Sequence, residues 1–224
     1  MGTKWVYSFG SGKAEGKGDQ KELLGGKGAN LAEMARLKLP VPAGFTITTQ
    51  MCSEYYRRGK KLPNDMKKQV EKALAQVEKA MGKKFGCVKN PLLVSCRSGA
   101  RQSMPGMMET VLNIGLTSKT LPALAAKTGN PRFAWDSYRR LIQMYADVVM
   151  EKAEGVEPAE DMGVRRQMER EMEKVKKDKG YKTDTDLTAG DLEVLVAVYK
   201  QIIRNSLGKE FPDDPMEQLW GGIR

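Results

Sequence analysis

No histidine occurs among the 224 residues, only three residues are cysteine, and aromatic residues make up 7%. Without imidazole the chain cannot run Ser-His-Asp or Cys-His catalysis, cannot offer the commonest transition-metal ligand, and cannot carry a phosphoryl group on histidine. Those roles must come from another side chain or another polypeptide. Cys52, Cys87 and Cys96 are odd in number and never in CxxC spacing, which argues for a reducing compartment and against a zinc site or disulfide framework. No apolar run approaches the ~20 residues that span a bilayer. The N-terminal MGTKWVYSFG lacks the apolar stretch of a secretory signal. A soluble, cytoplasmic chain without a membrane partner is expected.

Charge is plentiful: 38 Lys and Arg against 28 Asp and Glu give a net charge of +10. Much of the excess lies between Arg57 and Lys89. That stretch reads as an amphipathic helix, capped by Asn64, with Met66, Val70, Leu74, Val77 and Met81 on one face and Gly82 at its end. The lysines are then its wet side. No aromatic residue interleaves with them as a single-strand binder requires, so nucleic acid is not expected as a partner.

Residues 1–116 alternate strand and helix signals. Lys4 to Phe9 is a short alternating run with Trp5, Tyr7 and Phe9 on one side, followed by a Gly- and charge-rich loop from Gly10 to Gly18. A helix follows Leu24-Gly25-Gly26-Lys27-Gly28, with Leu31, Met34, Ala35 and Leu37 as its buried face. Phe45 to Thr48 is β-rich, and Thr49 suits the cap of a helix through Tyr56. Leu92 to Cys96 reads as a short buried strand, and Glu109 to Ile114 as another. From Thr117 the pattern becomes almost purely helical. One helix starts at Pro131 and carries Phe133, Tyr138, Leu141, Ile142, Tyr145, Val148 and Val149. A second runs from Val164 to Lys179, and a third opens at Thr188 with Asp191 three places on, close to a capping box. The expected class is α+β, with residues 117–208 as a helical bundle and 209–224 as a further helix.

Two glycine-rich elements carry candidate chemistry. In Gly25-Gly26-Lys27-Gly28, glycines let backbone approach a ligand, a lysine supplies a point charge, and a helix begins at once. It is not a Walker A loop, because Gly28 stands where Ser or Thr should hold magnesium. A phosphate site and an ordinary helix-entry turn both fit. The second element begins where a strand delivers Arg97, whose fork suits phosphate oxygens, to a loop carrying Arg101, Ser103 and Gly106. A surface loop whose methionines plug the core is the plainer alternative, and it accounts poorly for two arginines among so many small residues.

The strings KWVYSF, ELLGGKGANLAEM, LPVPAGFTITT, PLLVSCRSGARQSMPGMMETVLNIGL, TGNPRFAWDSYRRLIQMYADVVM and DTDLTAGDL, in that order, resemble the N-terminal part of the pyruvate phosphate dikinase family. The resemblance implies an ATP-grasp nucleotide-binding subdomain over 1–116, an inserted helical bundle over 117–208, and a return toward the second half of that fold over 209–224. It implies that ATP phosphorylates a histidine on a separate domain, that inorganic phosphate takes up one phosphoryl group, and that the phosphohistidine exchanges with pyruvate and phosphoenolpyruvate. Lys27 and Arg97 match the family's catalytic, phosphate-contacting lysine and arginine. Gly106, Met107 and Met108 match the loop whose amides cover the terminal phosphate.

The family's magnesium ligands, phosphohistidine domain and pyruvate barrel have no counterpart among these residues, so the resemblance implies a truncated N-terminal segment, inactive alone, of a homodimeric enzyme. Its members occupy the cytoplasm or a reducing organelle such as a plastid or glycosome. Cys96 departs from the family, where a β-branched residue is expected. A binding module without catalysis, using the basic helix and anion-binding loops to hold a partner protein or nucleic acid, is the competing reading.

Overall fold

In the computed structural model, which describes residues 2–99 and 110–224, the N-terminal alternating run becomes strand β1 (Val6–Gly10). The chain reverses at Ser11 and Gly12, with φ of 51° and 73°, and returns as β2 (Lys13–Ala14), pairing Phe9 with Ala14. Positive φ at both turn positions matches the twist of the flanking strands. A tight hairpin therefore stands where the sequence predicts only loop. Strand β3 (Gly44–Ile47) pairs antiparallel with the other edge of β1, placing Val6 opposite Ile47, for a sheet order of β2-β1-β3.

Helices α1 (Lys21–Arg36), α2 (Thr49–Arg57) and α3 (Asn64–Met81) accompany this sheet. The buried face of α1 agrees with the predicted one only at Ala35. Leu24, Gly28, Ala29, Ala32 and Ala35 are inside, whereas Met34 and Leu37 are 41% and 65% exposed. The cause is distance: a Cβ on Gly28 would lie 2.6 Å from Thr46 Cγ2, so only small residues fit between α1 and β3. Thr48, not Thr49, is the N-cap of α2, and Pro63, not Asn64, precedes the first turn of α3; neither cap position makes a side-chain capping bond. Otherwise α3 follows its pattern. Met66, Val70, Leu74 and Val77 are buried, Gly82 closes the helix at φ 61°, and Lys67, Lys68, Lys72 and Lys79 face solvent; Met81 is exposed. Gln69 ties α3 to the start of β1, accepting from the Trp5 and Val6 amides at 2.8 and 3.2 Å and donating to the Thr3 carbonyl at 2.8 Å.

Short strands follow: β4 (Lys84–Phe85) with β5 (Pro91–Leu92), and β6 (Val94–Arg97) with β7 (Thr110–Ile114). The single buried strand predicted over Leu92 to Cys96 is divided at Leu93, and only Leu92 is buried. Along β6 half-buried Val94 and Cys96 alternate with exposed Ser95 and Arg97, the pattern of a two-stranded ribbon covered on one face rather than two. The Cys96 thiol donates to the Gly222 carbonyl at 3.0 Å, and burial pushes its pKa up to about 11, so it is unreactive.

The remaining chain is α4 (Leu121–Thr128), α5 (Pro131–Tyr145), a π-helical segment (Ala146–Lys152), α6 (Val164–Lys179), α7 (Ala189–Leu207) and α8 (Pro215–Ile223). Helix α5 is central and packs against α4, α7 and β7. Its Tyr138, Leu141, Ile142 and Tyr145 are buried, as are Leu192, Leu195 and Tyr199 of α7, and Phe211 stands edge-on to Tyr138 and Tyr145. Phe133 is exposed, contrary to the predicted stripe. The π segment changes the repeat after Tyr145, so Val148 and Val149 leave the core while Asp147 and Glu151 enter it.

Described residues up to Lys84, with Arg97 to Gly99, form one compact unit; Phe85–Cys96 and Thr110–Arg224 form the other. The architecture mixes many helices with small sheets, compatible with an α+β class. No helix among the described residues is long and apolar enough to cross a membrane.

The box at the start of α7 is complete although it uses Asp. Thr188 Oγ1 accepts from the Asp191 amide at 3.2 Å, and Asp191 Oδ2 accepts from the Thr188 amide at 2.9 Å. Lys179 also donates to this carboxylate. Hydrogen bonds from Lys179 and Thr188 hold the Asp191 pKa at about 2. Because that lies below the ordinary ~3.9 of an unfolded aspartate, its contribution to stability is present above about pH 4 and is lost as pH falls toward 2. Asp191→Asn is expected to lower stability at pH 6, with the deficit against wild type shrinking to nothing near pH 2. Urea unfolding across that range checks it; a deficit independent of pH would contradict it.

Candidate functional site

Helix α1 is two helices joined across a break. One turn forms first, with the Leu24 amide donating to the Gln20 carbonyl at 2.9 Å. Gly25 then leaves the helix at φ 70° and ψ 165°, backbone that only glycine adopts readily, and the helix resumes through Gly26, Lys27 and Gly28. In an unbroken helix the Glu22 carbonyl would accept from the Gly26 amide. Here it accepts from Thr49 Oγ1 at 2.5 Å.

The three glycines have separate physical reasons. Gly25 supplies the conformation. Gly28 admits β3, as the 2.6 Å approach of Thr46 shows. Gly26 has nothing within 4 Å of where a Cβ would stand, so no packing neighbour demands glycine there. The first amides of a restarted helix lack carbonyls one turn back, and the positive end of the helix dipole adds to them. Together they favour an anion. Lys27 is half-buried in that first turn, and its side chain makes no ion pair or hydrogen bond among the described residues.

Arg97 ends β6 and is exposed, also without an ion-pair partner among the described residues. It belongs to the same compact unit as Lys27, and exposed Ser98 and Gly99 follow it. Arg101, Ser103, Gly106, Met107 and Met108 lie outside the described residues.

Sequence reasoning missed Thr46 and Thr49. Thr49 was legible only as a local cap, whereas its hydroxyl reaches a carbonyl 27 positions away. No group of three or more Cys, Asp or Glu side chains that could hold a metal ion occurs among the described residues. The second unit has a cavity of about 490 Å³ beside the π segment. Its buried carboxylates are already engaged. Glu151 Oε2 accepts from the Val164 amide at 2.8 Å, capping α6, and Asp147 Oδ2 faces Lys152 at 3.2 Å and Arg165 at 3.6 Å.

A helix restarted at a glycine break, with a lysine that has no partner among the described residues, is an arrangement that suits an anion. Residues 21–65, which contain the break, Lys27, Thr46 and Thr49, match the family model described as "Pyruvate phosphate dikinase, AMP/ATP-binding domain". Over 223 residues the chain is 48% identical to pyruvate, phosphate dikinase of Clostridium symbiosum, covering 99% of this chain and 24% of that protein. It is 48% identical over 222 residues to the enzyme of that name from Rhizobium meliloti (strain 1021), covering 99% and 23% respectively. With the chloroplastic pyruvate, phosphate dikinase 1 of Arabidopsis thaliana it shares 47% identity over 219 residues, 98% of this chain and 22% of the relative. The chain is a fragment of the N-terminal region of the pyruvate phosphate dikinase family, and it spans about a quarter of the length of the curated relatives it matches.

Proposed function

We propose that this chain is part of the nucleotide-binding portion of a pyruvate phosphate dikinase and holds ATP through its phosphates. The observation that carries the reading is the break at Gly25, after which the helix restarts at Gly26 and Lys27, with a Lys27 ammonium group that has no partner among the described residues. Lys27 places a point charge against the phosphates. Arg97 offers a planar fork to two phosphate oxygens. Arg101 and Ser103, with the amides of Gly106, Met107 and Met108, complete the enclosure of the terminal phosphate. The residues 1–116 act as an ATP-grasp-type subdomain, 117–208 as a helical insertion, and 209–224 as the return toward the rest of that fold.

In the whole enzyme the reaction converts ATP, pyruvate and phosphate to AMP, phosphoenolpyruvate and diphosphate by way of a phosphohistidine on another domain. Lys27 and Arg97 serve it by position and charge. Phosphoryl transfer demands neutralisation of spreading negative charge and alignment of the reacting phosphate, neither of which requires a side-chain base. Histidine, absent here, belongs to the acceptor domain, and magnesium belongs with carboxylates elsewhere in the longer protein. The fragment binds nucleotide and does not turn over alone. The longer protein works as a homodimer in the cytoplasm or a reducing organelle.

Arg97→Ala tests the assignment at the second element. Its exposed side chain, without an ion-pair partner among the described residues, predicts little change in melting temperature, while affinity for ATP falls about tenfold, the scale of one charged hydrogen-bonding contact. Unchanged affinity in a calorimetric titration would remove Arg97 from the site.

A further inference from the structure

Resting on the phosphate-binding reading of the Gly25 break, we infer that Thr49 is a positioning residue for that site: its hydroxyl holds the broken carbonyl of Glu22 and so keeps the Gly26 and Lys27 amides aimed at the ligand. Breaking a helix leaves two kinds of orphan, carbonyls before the break and amides after it. The amides serve the anion. The carbonyls lose their helical partner, and at this exposed position a fixed protein donor, unlike exchanging water, also holds the direction of the carbonyl. Thr49 Oγ1 supplies that donor at 2.5 Å from the Glu22 oxygen.

Placement of Thr49 makes the contact stiff. It is the first residue of α2, immediately after β3, and the same corner presents Thr46 against Gly28. Two threonines three residues apart therefore grip both sides of the break: Thr46 meets the resumed helix after Gly25, and Thr49 the turn before it. Thr49 is also free for the task, since the capping position of α2 is taken by Thr48. Without its hydroxyl the Glu22 carbonyl competes for the Gly26 amide, and the amide is withdrawn from the ligand.

The test compares Thr49→Val, which keeps shape and removes the donor, with Thr49→Ser, which keeps the donor. Three readouts are taken on the intact chain: ATP affinity by calorimetry, melting temperature, and amide hydrogen exchange at Gly25 to Gly28. Thr49→Val is expected to weaken ATP about tenfold and to alter exchange at those amides without nucleotide present, with melting nearly unchanged; Thr49→Ser is expected to restore both. Wild-type exchange and affinity in Thr49→Val, or failure of Thr49→Ser to restore them, would overturn the inference. If Lys27→Met loses ATP while Thr49→Val does not, the positioning role alone fails. If wild type does not bind ATP, the underlying reading fails too.

Discussion

Replacing Lys27 by methionine is expected to weaken ATP binding ten- to hundredfold while leaving the melting temperature within a degree or two of wild type. The binding loss follows from removing one charge-assisted contact to phosphate, about 1.5–3 kcal/mol where the acceptor is ionised. The small effect on stability follows from the structure. Lys27 has no ion pair or hydrogen bond of its side chain among the described residues, and methionine keeps the stem that is half-buried along the first turn. Raising salt should weaken wild type more than the variant, because one fewer charge meets the phosphates. A variant that binds ATP as wild type does, or one that unfolds, would assign Lys27 to packing. Calorimetry and a thermal melt on the same samples separate the outcomes.

The largest stability effect is expected in the other compact unit. Gln218 on α8 is fully buried, and each of its polar atoms has a backbone partner. Its Oε1 accepts from the Gly115 amide at 2.9 Å, and Nε2 donates to the Pro212 and Leu116 carbonyls at 2.9 and 3.1 Å. Gln218→Leu fills similar volume but strands one amide and two carbonyls. At about 1–3 kcal/mol for each buried group left unpaired, the loss should reach roughly 3 kcal/mol or more. Urea denaturation measures it; a loss under about 1 kcal/mol would mean that backbone rearrangement or entering water satisfies those groups. ATP affinity, normalised to folded protein, should not change.

These two residues also mark the limits of what sequence reveals. Lys27 stood out because glycines around a lysine at a helix entry suit a phosphate, although an ordinary helix-entry turn fits the same string. Gln218 did not, because its amide and carbonyl partners at Gly115 and Leu116 lie more than a hundred positions away and the residue type is ordinary on a helix surface. Features with local causes were legible: the α3 apolar stripe, the Gly82 helix end, and the Thr188–Asp191 box. Features set by close tertiary approach were not. The α1 face was misread because large apolar residues attract attention, whereas Gly28 and Ala32 are what fit against β3. The π segment was hidden for a similar reason: its signal is two acids entering the core, which reads on sequence as the polar side of a helix. Within the site, the conformation of Gly25 was foreseeable only as freedom, and Thr49 as a cap.

The central claim, that this chain recognises the phosphates of a nucleotide at the Gly25 break and Arg97, is tested most directly by titrating the intact chain with ATP, AMP and inorganic tripolyphosphate. Saturable ATP binding at least tenfold tighter than AMP, with tripolyphosphate competing and Lys27→Met weakening both polyphosphate ligands, is the predicted result. Equal affinity for AMP and ATP, or ATP binding that tripolyphosphate cannot displace, would contradict it.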